Sequence, residues 1–334
     1  FIIIVAGICH FALKLPFKRR TAKLDFMGAG LLSLTIASLM IGLEEGRHGW
    51  TQQHVLILLV VALLGLVAFI KVEQGAEEPM IPLRLFSNDV VRTCALLGMC
   101  AGAVTYGAGG FLSLYFQDSL LVSPTESGLR TLPQMLGVTL ATFGVGRIIA
   151  KTGKYKIFPV IGSALCIVGL LGIAQITGTT PYLYLVIPMI LLGFGTASVF
   201  TTTSIASQNA VEFSDLGVAT ATVLFFRSLG GSFGLAIFGT VLNSTIRSEI
   251  PKRIPIEPDK ASSIIRSPEQ IASLPLASKQ AVVDSLAMGV SRIYWLCAAT
   301  MVIGLLLAVI LREQPLRLRA GLSDAMEKNE SATA

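Results

Sequence analysis

Charged residues are scarce in this chain. Asp, Glu, Lys and Arg together make up 14% of it, whereas soluble globular proteins contain about 25%. Hydrophobic residues make up 53%, and the net charge of +6 is carried by short polar stretches between long apolar runs. This composition argues against a soluble globular protein. The basic residues lie in separate loops rather than on one stripe, which argues against a nucleic-acid partner.

Motifs of soluble chemistry are also missing. The sequence contains no Walker-type phosphate loop, no Gly-x-Ser-x-Gly elbow and no His-Glu-x-x-His pair, so we expect neither an ATP motor nor an enzyme. The three histidines show no metal-ligand spacing. The five cysteines lie inside apolar runs without paired spacing, as small buried hydrophobic residues do. We therefore expect no metal site, no disulfide framework and no cofactor.

Nine apolar segments occupy most of the sequence. A helix needs about 20 apolar residues to cross a bilayer, and these segments lack the period-two alternation of barrel strands. They predict an all-α polytopic membrane protein. The segments cover residues 1–13, 26–43, 55–70, 93–117, 127–149, 157–175, 182–204, 217–242 and 293–311. The first is too short to cross alone and has no initiator methionine before it, so we expect further helices upstream.

Basic residues alternate from loop to loop. They are concentrated in residues 14–25, 71–92 and 147–156 and in the C-terminal tail, while the intervening loops hold one or none. The positive-inside rule then places these loops and the C-terminus in the cytoplasm. We expect a multi-pass protein of the cytoplasmic membrane, with the lipid bilayer as its partner.

Two loops depart from this alternation. Residues 205–216 hold two acidic residues and no base, although the loop should be cytoplasmic. Residues 243–292 hold several bases although the loop should be outside, but long loops are largely exempt from the rule. Because the second loop also contains several prolines, we expect it to be irregular, with a short helix near residues 278–288.

Glycine pairs recur at four-residue spacing in the membrane segments. Examples are Gly98 with Gly102 and Gly230 with Gly234. Such spacing lets two helix backbones approach closely. Two interpretations remain open, a tight static contact and a surface that rocks between transport states.

Arg227 is the clearest charge within a predicted membrane segment. A charge at the bilayer centre costs at least about 3 kcal/mol on insertion scales. It should therefore face the bundle interior, a partner or a water-filled cavity. Its role is either substrate binding or proton coupling, or else structural, with the charge held by helix carbonyls or a carboxylate elsewhere. Tyr106 and Gln134 are further candidates for a substrate cavity, the alternative for Tyr106 being a packed aromatic.

Several loop and helix motifs together resemble those of a known transporter family. The chain resembles the C-terminal two-thirds of the 14-helix drug:proton antiporters of the major facilitator superfamily, the QacA/EmrB type, from about residue 2 to 313. The matching motifs are Leu24-Asp25-Phe26-x-Gly28, Gly46-x-x-Gly49-Trp50, Glu78-Pro79-Met80-Ile81-Pro82-Leu83-Arg84-Leu85-Phe86, Tyr115-Phe116-Gln117, Ser123-Pro124-x-x-x-Gly128-Leu129-x-x-Leu132-Pro133, and Gly217-x-Ala219 leading to Arg227-x-x-Gly230-Gly231-x-x-Gly234-x-Ala236.

This resemblance implies a division of the chain. Residues 1–13 would end the sixth family helix, 26–70 would be the two extra helices of the 14-helix type, and 93–311 would be the C-terminal six-helix half. Five upstream helices, which carry residues tied to proton coupling in the family, would be missing. The remaining parts would be basic cytoplasmic linkers at 14–25 and 71–92, a long outer loop at 243–288 and a cytoplasmic tail at 312–334.

One further motif resembles the cytoplasmic gating loop G-x-x-x-D-R-x-G of the family. Its positions are Gly146, Lys151 and Gly153, with Arg147 as an additional base. The aspartate position is Ala150, so we do not expect the charge latch of that motif.

The expected function is secondary transport. By resemblance, the protein would export small amphipathic, often cationic, drugs or metabolites, with the proton gradient as its energy source. Two alternatives remain open: export of another cargo, such as a siderophore, a lipid precursor or an amino acid, and a membrane scaffold that transports nothing.

Overall fold

The computed structural model describes residues 25–46, 51–75, 83–254, 271 and 274–316. Within these ranges the chain is helical and contains no strand, which confirms the all-α prediction. The helices are α1 (Phe26–Gly46), α2 (Gln53–Gly75), α3 (Asp89–Leu114), α4 (Pro124–Arg130), α5 (Leu132–Thr152), α6 (Ile157–Ile173), α7 (Tyr182–Asn209), α8 (Leu216–Arg253) and α9 (Leu276–Ile310). Residues 1–24, the tail from residue 317 onward, and Trp50 lie outside the described residues.

The expected count of nine membrane segments is not matched. In the described part, seven helical stretches are long and apolar enough to cross a membrane. The predicted segment 157–175 is shorter, because α6 spans 17 residues and ends at Ile173. Its last turn tightens through the Gln175 N–H, which donates to the Gly172 carbonyl, before a turn rich in threonine. The predicted segment 1–13 lies outside the described residues.

The predicted outer loop 243–288 is helical at both of its ends, and the helix expected near residues 278–288 forms the start of a longer one. Helix α8 continues to Arg253, and α9 begins at Leu276. Both extensions carry an apolar stripe at helical spacing, and the stripes meet in one buried cluster. The members are Leu242, Ile246 and Ile250 on α8 with Val282, Val283 and Leu286 on α9. Polar residues between them hide this stripe from a search for long apolar runs.

Ion pairs fasten the two extensions to each other. The Arg292 guanidinium lies 3.4 Å from the Glu249 carboxylate and donates to the Thr245 hydroxyl at 3.1 Å. Arg253 lies 3.4 Å from Asp284. At about 1.5 Å per residue, α8 is about 57 Å long, whereas the hydrocarbon core is about 30 Å thick. The paired ends of α8 and α9 therefore extend beyond the bilayer as one unit.

Helices α3 to α9 form one bundle. Helix α8 packs along α3, α5 and α6 flank α7, and α9 contacts α3, α6 and α8. Buried tyrosines place their hydroxyls on main-chain carbonyls, as a buried phenol requires. Tyr294 donates to the Ala108 carbonyl at 2.7 Å, and Tyr115 donates to the Thr177 carbonyl at 2.8 Å.

Helices α1 and α2 form a separate hairpin. They pack against each other, and α1 touches α8 more lightly. An apolar cavity of about 550 Å³ lies between the hairpin and α8. Its aromatic lining consists of Phe69, Phe86, Phe225, Phe226 and Phe233. The hairpin is therefore a peripheral addition to the bundle rather than part of its core.

Helices α3 and α8 meet backbone to backbone, as the glycine spacing predicts. A methyl group added at Gly102 would collide with the carbonyl oxygen of Arg227. One added at Gly230 would collide with the carbonyl oxygen of Met99, and one at Gly234 would lie 2.8 Å from that of Ala103. The close static contact is confirmed, whereas rocking along this seam stays a prediction.

We predict that Gly102→Ala lowers the melting temperature of the protein in detergent. The added methyl group meets rigid main chain, and overpacking of this kind costs about 1–3 kcal/mol. Gly109→Ala on the same helix is the control, because nothing lies within 4 Å of the added group there. Equal melting temperatures for the two variants would contradict the close backbone contact between α3 and α8.

Candidate functional site

Arg227 lies about three turns, or about 16 Å, into α8, a helix long and apolar enough to cross a membrane. The side chain is half-buried and points toward α7. The guanidinium carbon Cζ lies 4.6 Å from the centroid of the Phe200 ring. Helix α8 packs mainly along α3 and touches α7 more lightly, so this contact bridges α7 and α8, and we call the surroundings of Arg227 and Phe200 the cleft.

The charge of Arg227 is not neutralised by the part of the chain that the structure describes. No carboxylate lies within 4.0 Å of it, and the guanidinium donates no hydrogen bond there. The stack on Phe200 contributes about 0.5–2 kcal/mol, which is less than the minimum of about 3 kcal/mol for a charge at the bilayer centre. Among the described residues, neither a carboxylate nor a helix carbonyl is a partner of Arg227.

Tyr106 lies one helical turn away from Arg227. Its ring covers Gly231, which follows Arg227 by four residues on α8, and a methyl group at Gly231 would collide with the ring. The side chain is 49% exposed. Its hydroxyl makes no hydrogen bond within the described residues, so the alternative of a packed aromatic with a satisfied hydroxyl does not describe it.

Gln134 lies elsewhere. It is half-buried near the start of α5, and its carbonyl oxygen faces Gly193 of α7. Gly193 is about two turns, or about 10 Å, from Phe200 along α7. In the described ranges no hydrogen bond joins Gln134 to the other two candidates. The structure therefore brings Tyr106 and Arg227 together and leaves Gln134 apart from them.

Two contacts in the cleft were not predicted. One is the stack on Phe200, and the other is a hydrogen bond of 3.0 Å from the Gln208 amide to the Thr220 hydroxyl. The second contact lies about two turns from the first on the same sides of α7 and α8. The sequence carries no signal for Phe200, since a phenylalanine in an apolar helix is equally expected to face lipid.

The residues of the gating motif lie at the C-terminus of α5. Gly153 ends the helix in the left-handed conformation, with φ of 70°, and its N–H donates to the Ile149 carbonyl. Arg147 and Lys151 are exposed, and neither lies within 4.0 Å of a carboxylate in the described part of the chain. The absence of a charge latch, which Ala150 led us to expect, stays a prediction.

Comparison with known proteins decides the family. The model of the Major Facilitator Superfamily matches residues 26–235. The chain belongs to this superfamily. A solved structure supports the fold: a bacterial homolog of the human lysosomal transporter Spinster, inward-facing and occupied, aligns with a TM-score of 0.54 at 14% identity, over 84% of this chain and 66% of that one.

Several curated relatives of this chain are named as transporters. An uncharacterized MFS-type transporter of Mycobacterium tuberculosis is 31% identical, over 93% of this chain and 46% of the relative. The multidrug transporter MdtP of Bacillus subtilis is 29% identical, over 72% of this chain and 45% of the relative. A tetracycline resistance determinant of Streptomyces rimosus is 31% identical, over 66% and 64%. The chain spans about half the length of the first two. These relatives therefore indicate that the chain is part of a membrane transporter rather than of an enzyme.

A second polar cluster of this facilitator surrounds Tyr155, just after the gating motif. Tyr155 is fully buried. Its hydroxyl accepts from the Gln314 N–H at 2.8 Å and donates to the Arg312 carbonyl at 3.3 Å, while its own N–H donates to the Glu313 carboxylate at 3.1 Å. Hydrogen bonds therefore hold residues 312–316 across the turn between α5 and α6. We call this contact the tail clasp.

Other helix ends join the tail clasp. The Asn209 amide at the end of α7 donates to the Pro315 carbonyl at 3.2 Å. Asp89 at the start of α3 lies 3.2 Å from the Arg312 guanidinium and also pairs with Arg92. Burial raises the pKa of the Tyr155 hydroxyl, which keeps it protonated and able to donate. The contribution of this group to stability is present at neutral pH and is lost as the pH rises through the raised pKa.

We predict that Tyr155→Phe loosens the tail. The change leaves the Gln314 N–H and the Arg312 carbonyl without a buried partner, which costs about 1–3 kcal/mol. Trypsin should then cleave after Arg312 about tenfold faster or more. Tyr184→Phe is the control, because its hydroxyl donates to the Gly172 carbonyl on an exposed surface. Unchanged cleavage in Tyr155→Phe would show that the tail clasp does not hold the tail.

Proposed function

We propose that this protein is a proton-coupled exporter of small amphipathic molecules that works by alternating access. The observation that carries the proposal is the Arg227 guanidinium, half-buried within an apolar membrane-length helix, with no carboxylate partner among the described residues and with the exposed ring of Tyr106 one helical turn away. An intramembrane charge facing a cleft is by default part of a substrate or ion pathway. Relatives named as multidrug transporters and efflux pumps support export as the direction.

We further propose the 14-helix type of drug:proton antiporter. The α1–α2 hairpin supports it, since a peripheral pair beside a six-helix bundle is what two extra helices would look like. In this arrangement the cleft between α7 and α8 would face a second helical half, supplied by sequence that the relatives have and this chain does not span. The two halves would rock around the cleft at the bilayer midplane.

The remaining parts of the proposal follow from this arrangement. The energy source is the proton gradient, and no cofactor takes part. The protein lies in the cytoplasmic membrane with its C-terminus in the cytoplasm. The tail clasp would then lie at the cytoplasmic ends of α3, α7 and α9. Gating by Gly146, Arg147, Lys151 and Gly153 would depend on the turn that the tail clasp covers, rather than on a charge latch.

We predict that cells producing the protein from its complete coding region accumulate less of an amphipathic fluorescent dye than vector controls. A protonophore should abolish the difference. Arg227→Ala should lower the initial efflux rate about tenfold or more, which corresponds to at least about 1.4 kcal/mol, while the amount of protein in the membrane stays the same.

Arg92→Ala is the matched control and should transport normally. Arg92 pairs with Asp89 on an exposed surface, and Asp89 keeps Arg312 as a partner. Equal dye accumulation in producing and vector cells, with or without the gradient, would contradict export and favour a scaffold. Wild-type efflux by Arg227→Ala would remove Arg227 from the pathway.

A further inference from the structure

The charge balance of the cleft is one-sided. Helices α3, α7 and α8 carry Tyr106, Phe200 and Arg227, and α5 packs against α7; all four helices are described along their whole lengths. Their acidic residues are Asp89 at the first position of α3 and Glu249 near the far end of α8. Between these ends the four helices carry no carboxylate, whereas Arg227 carries a positive charge within a helix long and apolar enough to cross a membrane. The cleft is therefore built around a cation.

The donors of Arg227 are arranged for a ligand. Its guanidinium carbon lies over the Phe200 ring, 4.6 Å from the centroid, and its N–H donors lie in the plane of the guanidinium. None of these five donors is used within the described residues. A guanidinium edge matches the two oxygens of a carboxylate or sulfonate in a bidentate pair.

The surroundings of the guanidinium suit the rest of such a molecule. The Phe200 ring lies against the charge, and the half-exposed Tyr106 ring lies one helical turn away over Gly231, so both offer aromatic surface near Arg227. The Tyr106 hydroxyl, one helical turn from Arg227, is an additional donor without a partner in the described ranges. An anionic head with an apolar or aromatic body would meet both kinds of group.

We infer that the substrate is an amphipathic organic anion, bound by its carboxylate or sulfonate to Arg227. This inference rests on the proposed export function and narrows its substrate class. It departs from the cationic drugs that the family resemblance implies, because a cation would have to approach an unneutralised guanidinium with no carboxylate on these four helices to receive it.

The test uses two probes that share one fluorophore and differ in charge. The complete protein is reconstituted in proteoliposomes with an imposed proton gradient, and uptake of dansylglycine, a carboxylate, is compared with that of dansylcadaverine, an amine. We expect the wild type to transport the carboxylate at least about tenfold faster. Arg227→Gln should lose that preference, Arg227→Lys should retain part of it because a point charge cannot form the bidentate pair, and Arg92→Gln should match the wild type.

Tyr106→Phe separates binding from folding. It should raise the KM for dansylglycine without lowering kcat, because it removes a donor and keeps the ring over Gly231. Gradient-driven transport of dansylcadaverine with no preference for dansylglycine, unchanged in Arg227→Gln, would overturn the anion assignment and leave the export function intact. Absence of gradient-dependent transport of either probe by the wild type would overturn both. If Arg227→Lys remains active, the loss of preference in Arg227→Gln cannot be explained by a failure of the protein to fold without arginine at this position.

Discussion

Close contact between the backbones of α3 and α8 determines where both polar groups of the cleft lie. Gly102 lets α3 rest against the carbonyl of Arg227, and Gly231 leaves room for the ring of Tyr106. The two helices run in the same direction, so this register keeps Tyr106 and Arg227 one turn apart. A side chain larger than hydrogen at either glycine would separate the helices and the pair. Packing of the smallest residues thus positions the most polar ones.

In a lipid bilayer it is informative whether a polar group has a hydrogen-bond partner, because no water is there to provide one. In water an unpaired arginine is solvated and needs no explanation, whereas in the hydrocarbon region each unpaired polar group is costly. Most polar groups of this bundle follow that rule, as Tyr294 and Tyr115 do by donating to carbonyls on other segments. Arg227 departs from it in the described residues. A charged group that departs from so strong a rule is what identifies the cleft.

The sequence predicted the features that depend on local composition and missed those that depend on distant partners. Apolar runs gave the helical class, and glycine spacing gave the α3–α8 contact. The continuation of α8 past Leu242 was missed because an apolar stripe needs its partner on α9 to be recognised as buried. The tail clasp joins Tyr155 to Gln314 across more than 150 residues, and nothing near either residue indicates the other. Gln134 and Tyr106 are both predicted from their depth in the membrane segments, and the packing of Gln134 against Gly193, about two turns from Phe200, separates them.

The paired ends of α8 and α9 have a practical consequence for structure determination. Small transporters are difficult to align in electron cryomicroscopy because little of their mass stands outside the detergent micelle. Here two helices held together by Arg292–Glu249 and Arg253–Asp284 extend beyond the bilayer as a rigid rod. A binding protein raised against this rod, or a rigid domain fused into the connection between the two helices, would report the orientation of the transmembrane bundle in each particle image.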